Sequence, residues 1–484
     1  MRNHMVNNII LICLLVGLNY STTFTKLPQS LLVLSLPRKS DSVNNYTYIW
    51  DEFANSSGDI PGDDILAYGG SYGPFHNYSE IVDKIICLNQ TFPEWVELEI
   101  IGQSYFNRSI WCVHVTDENI TENKENILIV GQHHAREQIT VEQALYVIDY
   151  LIFSVQESQE SQESISILLQ NKVFSIIPSL NVDGASILHR YPWQRKTLRP
   201  IDEDLDGIQD EIDLETSDIN QDGYIEIIAS EEMPDVFAKV ETEGVDLDQD
   251  GKIGEDSPGG VDPNRNYAYD FGNPYFSSDL KSSQIYHGLN PFSENCTRVF
   301  RDFLAKFQFP KVLTLHSGIF AVYCPPYSQN SVRLEDEEFY QSLVPIIQAN
   351  INIEMTQVQV SAGMFVPWMY YTHIESKMVL NLEIYGNLSA YHEEPIVNSS
   401  LIRAWGVWDF FNPPANLVIN NCQIWWPVLL DLFTYNLADF YSIIPEDDGS
   451  ETYLDSFPLL GGGIISTIAI GIILMKYWRK KGFD

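Results

Sequence analysis

Apolar positions along the chain change period several times, and each change marks an element. Ile127, Leu128, Ile129 and Val130 form an unbroken apolar run that predicts a buried strand. The run stops at Gly131-Gln132, and from Gln138 the spacing of Ile139, Val141, Ala144, Leu145, Val147 and Ile148 is helical to about residue 155. A turn must therefore join strand to helix. Ahead of it the pattern predicts a helix near 78–88 and strands at 96–101 and 110–115. Behind it come strands at 173–177, 311–315 and 378–382, helices around 292–307 and 335–350, and a last helix within 401–444. Strands interleaved with helices predict an α/β fold, a central sheet covered by helices on its faces. Residues 23–75 read as an extended lead-in, and the Gln-Glu-Ser repeats of 156–164 as a low-complexity polar loop.

Both ends of the chain change the picture. Arg2, an apolar stretch over 9–18 and a polar turn at Asn19 predict a signal peptide over 1–22. Residues 457–475 carry no charge and are followed by Lys476-Tyr-Trp-Arg-Lys-Lys481. This predicts a single membrane-spanning helix over 457–478, reached by an acidic linker at 445–456, with the basic tail 479–484 in the cytoplasm. The bulk of the chain, 76–444, is then extracellular. Asn45, Asn55, Asn77, Asn89, Asn107, Asn119, Asn295, Asn387 and Asn398 head glycosylation triplets, which agrees with that compartment. Among the cysteines, Cys87 and Cys112 are expected to be able to pair.

Charge is concentrated. Residues 201–258 hold 21 acidic residues against two lysines, a net of −19, half of the chain's −38. Such an excess argues against nucleic acid or an anionic membrane surface as partner. Within this insertion three pieces repeat one pattern: Asp202, Asp204 and Asp206 before Gly207; Asp218, Asn220 and Asp222 before Gly223; Asp246, Asp248 and Asp250 before Gly251. Oxygen side chains at positions 1, 3 and 5 with Gly at 6 suit calcium loops, since the glycine makes the sharp turn that lets them converge. Position 12 holds Asp213, Ala229 and Ser257 rather than Glu, so these are not EF-hands but shorter Asp-rich loops.

The candidate chemistry begins in the first turn. His134 and Glu137, three residues apart, can reach one cation, and a catalytic zinc needs one more protein ligand and a water. The chain resembles the zinc carboxypeptidases typified by carboxypeptidases A and T over about 76–440, with the insertion removed. His134-Ala-Arg-Glu137 is similar to that family's zinc pair and Leu315-His316-Ser317 to its third ligand. Arg195 matches its carbonyl-polarising arginine, Asn264-Arg265 its clamp on a terminal carboxylate, and Glu383 its catalytic glutamate. The resemblance implies a mixed central sheet, one zinc, and hydrolysis of the C-terminal peptide bond of peptides or proteins. Arg136 is expected to line the substrate groove and His133 to pack beside the site. No Tyr precedes Gly363 where the family carries a mobile one, so Tyr370 or Tyr371 must substitute if anything does. Met364, Phe365 and Val366 favour an apolar specificity pocket. Two other functions fit the same features: a cell-surface protein that binds in a calcium-dependent way without turnover, and a zinc amidase acting on a non-peptide carboxylate. The sequence leaves the oligomeric state open.

Overall fold

A computed structural model describes residues 75–440, with breaks at 122, 156–159, 327–335, 354, 359–360, 388–400, 403 and 439. Within 204–257 it describes 207, 209, 217–219, 225, 227–228, 241–242 and 244. The expected signal peptide, most of the lead-in and the membrane span lie outside these residues. Among the described residues no helix is long and apolar enough to cross a membrane. Residues 436–484 form a unit of their own, described only at 436–438 and 440.

The chain opens with α1 (Tyr78–Thr91), whose start is fixed by a capping box: the Asn77 side chain accepts from the Glu80 amide, and Glu80 accepts from the Asn77 amide. Next come β1 (Val96–Gln103) and β2 (Ser109–Val115), an antiparallel pair. Then follow β3 (Glu125–Val130), α2 (Ile139–Ser154), α3 (Glu160–Asn171) and β4 (Lys172–Ile177). After the insertion the chain continues through α4 (Asn295–Leu304), β5 (Lys311–His316), β6 (Ile319–Cys324) and α5 (Asp336–Asn350). It ends with β7 (Met355–Gln357), α6 (Phe365–Thr372), β8 (Met378–Tyr385), α7 (Ala404–Phe411) and α8 (Val418–Thr434).

One eight-stranded sheet, in the order β1-β2-β4-β3-β5-β8-β6-β7, organises the domain. The run β4-β3-β5-β8 is parallel, whereas β2 with β4 and β8 with β6 pair antiparallel. The sheet is mixed. Central parallel strands are covered on both faces, which is why they read as unbroken apolar runs rather than alternating ones. On one face Leu128, Val130, Val312 and Val379 pack with Phe300 and Phe303 of α4 and Phe365 and Trp368 of α6. Phe174 of β4 meets the Phe433 ring of α8, centroids 4.9 Å apart. Burying each such side chain contributes about 1.5–3 kcal/mol, so the parallel core dominates the stability of this region.

Three local expectations change. The polar repeat is not all loop, since α3 starts at Glu160; Gln, Glu and Ser are tolerated on a helix whose later residues Ile165, Leu168 and Leu169 are buried. Strand β8 does not stop at Leu382 but carries Glu383 within its ladder. Cys87 and Cys112 are not joined: the Cys87 thiol lies against Thr91 of its own helix, and Cys112 is buried in β2. Of the insertion, Ile227–Ile228 and Glu241–Thr242 form a small three-stranded sheet with Leu401–Ile402.

Candidate metal centre

Three neighbouring parallel strands deliver the site at their carboxyl ends, where open α/β sheets place their ligands. His316 is the last residue of β5, and its ladder partner on β8 is Glu383. The chain leaves β3 through Gln132, a non-glycine residue at φ 54°, in the left-handed region. That backbone is held by the Gln132 side chain, which donates to Ala135 O at 2.9 Å and to Gln138 Oε1 at 2.7 Å. The same turn carries His134 and Glu137 inward; with His316 they are 4, 2 and 1% exposed.

The ligating atoms converge. Nδ1 of His134 lies 2.6 Å from Glu137 Oε1, Nδ1 of His316 lies 2.9 Å from Glu137 Oε2, and the two Nδ1 atoms are 3.3 Å apart. Asp262 accepts from Nε2 of His134 at 3.1 Å. Both ring nitrogens of His134 thus face carboxylates; a cation at Nδ1 would take the lone pair of the neutral ring and leave the proton on Nε2, where Asp262 accepts it. Nε2 of His316 is buried without a hydrogen-bond partner among the described residues. His133 lies behind it as expected, stacked on His316 at 5.4 Å and 22°, with its own nitrogens on Tyr267 Oη and Thr314 Oγ1.

Asp262 is a site residue that reading the sequence missed. Its only signal there is the Asp-Pro pair directly ahead of Asn264-Arg265. It caps that turn through the Asn264 amide and accepts both Nε and an Nη of Arg195 at 3.0 and 2.9 Å. One carboxylate thus fixes the His134 tautomer and aims Arg195, whose other Nη is 3.9 Å from Glu137. Arg265 is 7% exposed and donates to Phe276 O and Asn264 O. The Asn264 side-chain oxygen accepts from the Phe365 amide, which ties the clamp to α6. Gly363 lies beside it at φ 67°, where a Cβ would sit 2.3 Å from Arg265 O; only glycine fits.

Arg136 is fully buried, its guanidinium 4.7 Å from the Trp193 ring and 4.3 Å from the Phe411 ring. Both candidate tyrosines are engaged with other groups. The Tyr370 hydroxyl binds Asp336, while Tyr371 donates to Pro326 O and stacks on Tyr269 at 4.2 Å. Of the candidate calcium residues, Asp202 and Asp218 are described; Asp218 lies 3.7 Å from Arg190. Asp204, Asp206, Asn220, Asp222, Asp246, Asp248 and Asp250 lie outside the described residues.

Electrostatics separate the two glutamates. Burial pushes the Glu137 carboxyl up, but His134 and His316 beside it outweigh that and hold it well below the usual range. Burial, and then the charge of Glu137, push Glu383 up to about 8. Among the described residues Glu383 accepts one hydrogen bond, from Asn381 at 3.2 Å. A folded value near 8 against an ordinary 4.5 means that the stability linked to Glu383 is complete below 4.5 and is lost as pH rises through 8. The thermal unfolding temperature of zinc-free protein should therefore fall between about pH 4.5 and about pH 8, and Glu383→Gln should flatten the slope. Equal slopes in the two proteins would assign it to other groups.

The sequence profile of zinc carboxypeptidases matches residues 81–378, more than half of the chain. The chain belongs to the zinc carboxypeptidase family. A zinc carboxypeptidase of Saccharothrix mutabilis subsp. capreolus is 31% identical over 121 residues, 24% of this chain and 26% of that protein. A protein of Ajellomyces capsulatus (strain H143) named inactive metallocarboxypeptidase ECM14 is 33% identical over 129 residues, 26% of this chain and 20% of that one. The chain therefore spans about a quarter or less of the length of these curated relatives. Among solved structures, the carboxypeptidase A of Helicoverpa armigera superposes with a TM-score of 0.51 at 18% identity, over 77% of this chain and 75% of that one, a likeness of fold. The family implies a catalytic zinc. The three donors fit it: His, Glu and His place one atom each within 4.8 Å of one another, and Asp262 stands at the far nitrogen of His134, where the second partner of a zinc-bound His belongs.

Proposed function

We propose that this protein is an active zinc metallocarboxypeptidase that removes C-terminal residues, preferring apolar ones, from peptides or proteins. The observation that carries this is the position of Glu383, in register with His316 on the adjacent strand and with a single hydrogen bond to its carboxyl among the described residues. Zinc held by His134, Glu137 and His316 would supply the Lewis acidity that lowers the pKa of a water and polarises the scissile carbonyl. Glu383 takes the water proton and passes it to the leaving amine. Arg195, aimed by Asp262, stabilises the charge that develops on the carbonyl oxygen. Arg265 offers its planar fork to the terminal carboxylate and Asn264 a side-chain amide. Met364, half-buried after Gly363, and Val366 give the pocket its apolar character. A peptide and its C-terminally amidated twin test the reading: amidation should abolish most cleavage, whereas internal cleavage of the blocked peptide at a similar rate would remove the exopeptidase assignment.

A second reading is a protein on this fold that binds at the cell surface in a calcium-dependent way and does not turn over. It is favoured by the commitment of Tyr370 and Tyr371 elsewhere, and by the name of the Ajellomyces relative. The intact Glu383 weighs against it. We further propose that 457–478 anchors the protein with its catalytic domain outside the cell, and that the Asp-rich loops take calcium. Protease added to intact cells, with and without EGTA, tests both. A soluble fragment cut within 445–456 is expected, and new cuts within 201–258 when calcium is withdrawn. Full protection would reverse the orientation, and an unchanged pattern would make the insertion a solvated acidic loop.

A further inference from the structure

The hairpin that joins β1 to β2 holds two aromatic rings half out in solvent. Tyr105 and Phe106 are 47 and 46% exposed and meet edge to face, centroids 5.1 Å apart at 87°. The tip that carries them is well anchored. The Ser104 amide donates to Arg108 O at 2.9 Å and the Asn107 amide to Ser104 O at 3.2 Å, which closes the loop. One buried carboxylate ties it down: Asp183 accepts from Ser104 Oγ at 2.8 Å, from the Phe106 amide at 3.1 Å and from Arg108 Nη1 at 2.7 Å. Rings held out on a fixed backbone leave apolar surface in water, and a group that covered them would stabilise the tip.

The next residue supplies such a group. Asn107 is exposed, heads the triplet Asn107-Arg108-Ser109 and has its backbone at φ 60°. A left-handed residue commonly closes hairpin loops of this kind, and asparagine adopts that conformation more readily than most side chains. Among the described residues the Asn107 side chain makes no hydrogen bond. Asn89, Asn119 and Asn295 differ: each donates through Nδ2, to Val96 O at 2.7 Å, to Asp117 Oδ1 at 3.1 Å and to Ser104 O at 3.3 Å. The Asn107 amide nitrogen is thus uncommitted, one residue from the Phe106 ring and two from Tyr105.

We propose that Asn107 carries an N-linked glycan whose first N-acetylglucosamine lies on the Tyr105–Phe106 rings and steadies the hairpin. The inference rests on the extracellular placement proposed above. The donor is a lipid pyrophosphate-linked oligosaccharide. Nδ2 forms a bond to its anomeric carbon, the bond from that carbon to the phosphate oxygen breaks, the lipid pyrophosphate leaves, and one amide proton is lost. The Ser109 hydroxyl completes the acceptor triplet. One face of the sugar is lined with C–H bonds, whose partial positive charge suits the negative face of an aromatic ring. Their contact removes apolar area of both from water.

The test maps glycopeptides by mass spectrometry on the full chain made in cells that N-glycosylate. Asn107 should be occupied in most molecules, Ser109→Ala should leave it bare, and Ser109→Thr should restore it. Ser109→Ala keeps the Asn107 side chain and its backbone, so the change is confined to the acceptor hydroxyl. Its Tm should drop by about 2 °C, and hydrogen exchange at the Phe106 amide should quicken about tenfold. Ser109→Thr should match wild type in both. In a background of Tyr105→Ala plus Phe106→Ala, Ser109→Ala should lower Tm no further, because the sugar has lost its platform. A bare Asn107 on a chain glycosylated at other triplets would overturn the proposal. So would a Tm loss from Ser109→Ala that is equal with and without the rings. Should the ring variants fail to fold, wild-type exchange at the Phe106 amide in Ser109→Ala would overturn it equally. A chain with no glycan at any triplet would remove the extracellular placement, and the proposal with it.

Discussion

Replacing Glu383 by Gln is expected to lower kcat by at least about two orders of magnitude while zinc content and KM stay close to wild type. Gln is nearly isosteric, so the strand pairing with His316 and the Asn381 hydrogen bond can persist. What is lost is a group able to take a proton and return it, and a hundredfold loss corresponds to about 2.7 kcal/mol of barrier. Glu375, the other carboxylate near this strand, is placed at the wrong end. It precedes β8 and pairs with His373 at 3.3 Å, and Met378, where the strand begins, is already about 16 Å from Glu383 at the rise of an extended strand. Steady-state kinetics with a metal assay decide the matter. A variant that keeps kcat within a few-fold of wild type would take the proton-transfer role away from Glu383.

His316→Ala should cost the protein most of its zinc and, with it, its activity. The wild-type chain should carry about one zinc after dialysis, since three protein donors with an open position make a catalytic zinc site. The variant retains only His134 and Glu137, and the cavity left at the end of β5 admits water beside a carboxylate that the two imidazoles of the wild type hold ionised. Elemental analysis of both proteins gives the answer directly. Equal zinc in the two would mean that the metal is held elsewhere, and His133 could not take over without leaving Tyr267 and Thr314.

Several features are legible in the chain's local pattern. The apolar run of β3, the helical spacing from Ile139 and the His-x-x-Glu interval between them fix a strand–turn–helix with two donors in the turn, because these signals are local and periodic. The order of His134, Arg195, Asn264-Arg265, His316 and Glu383 carries the family. His134, His316 and Glu383 sit near strand ends or in the turn after one, and the four parallel strands announce themselves by their unbroken apolar character. Short segments are less legible. Strands β6 and β7 and helix α6 escape a reading by period, since three to eight residues offer too few repeats to separate a helix from a strand.

By itself the sequence determined which residue types are available, their order along the chain and the local elements that present them. Only the tertiary structure decided what they meet. Asp262 becomes a partner of both His134 and Arg195 because the chain returns to the site after the insertion, a contact 128 residues away from His134 that no local pattern encodes. Arg136 has its guanidinium between Trp193 and Phe411, which come from two segments much further along the chain. Glu383 acquires its high folded value from burial and from the nearness of Glu137, 246 positions earlier in the chain. Periodicity reports which face of an element is apolar; the energies that orient a buried charge arise from neighbours that only the folded chain assembles.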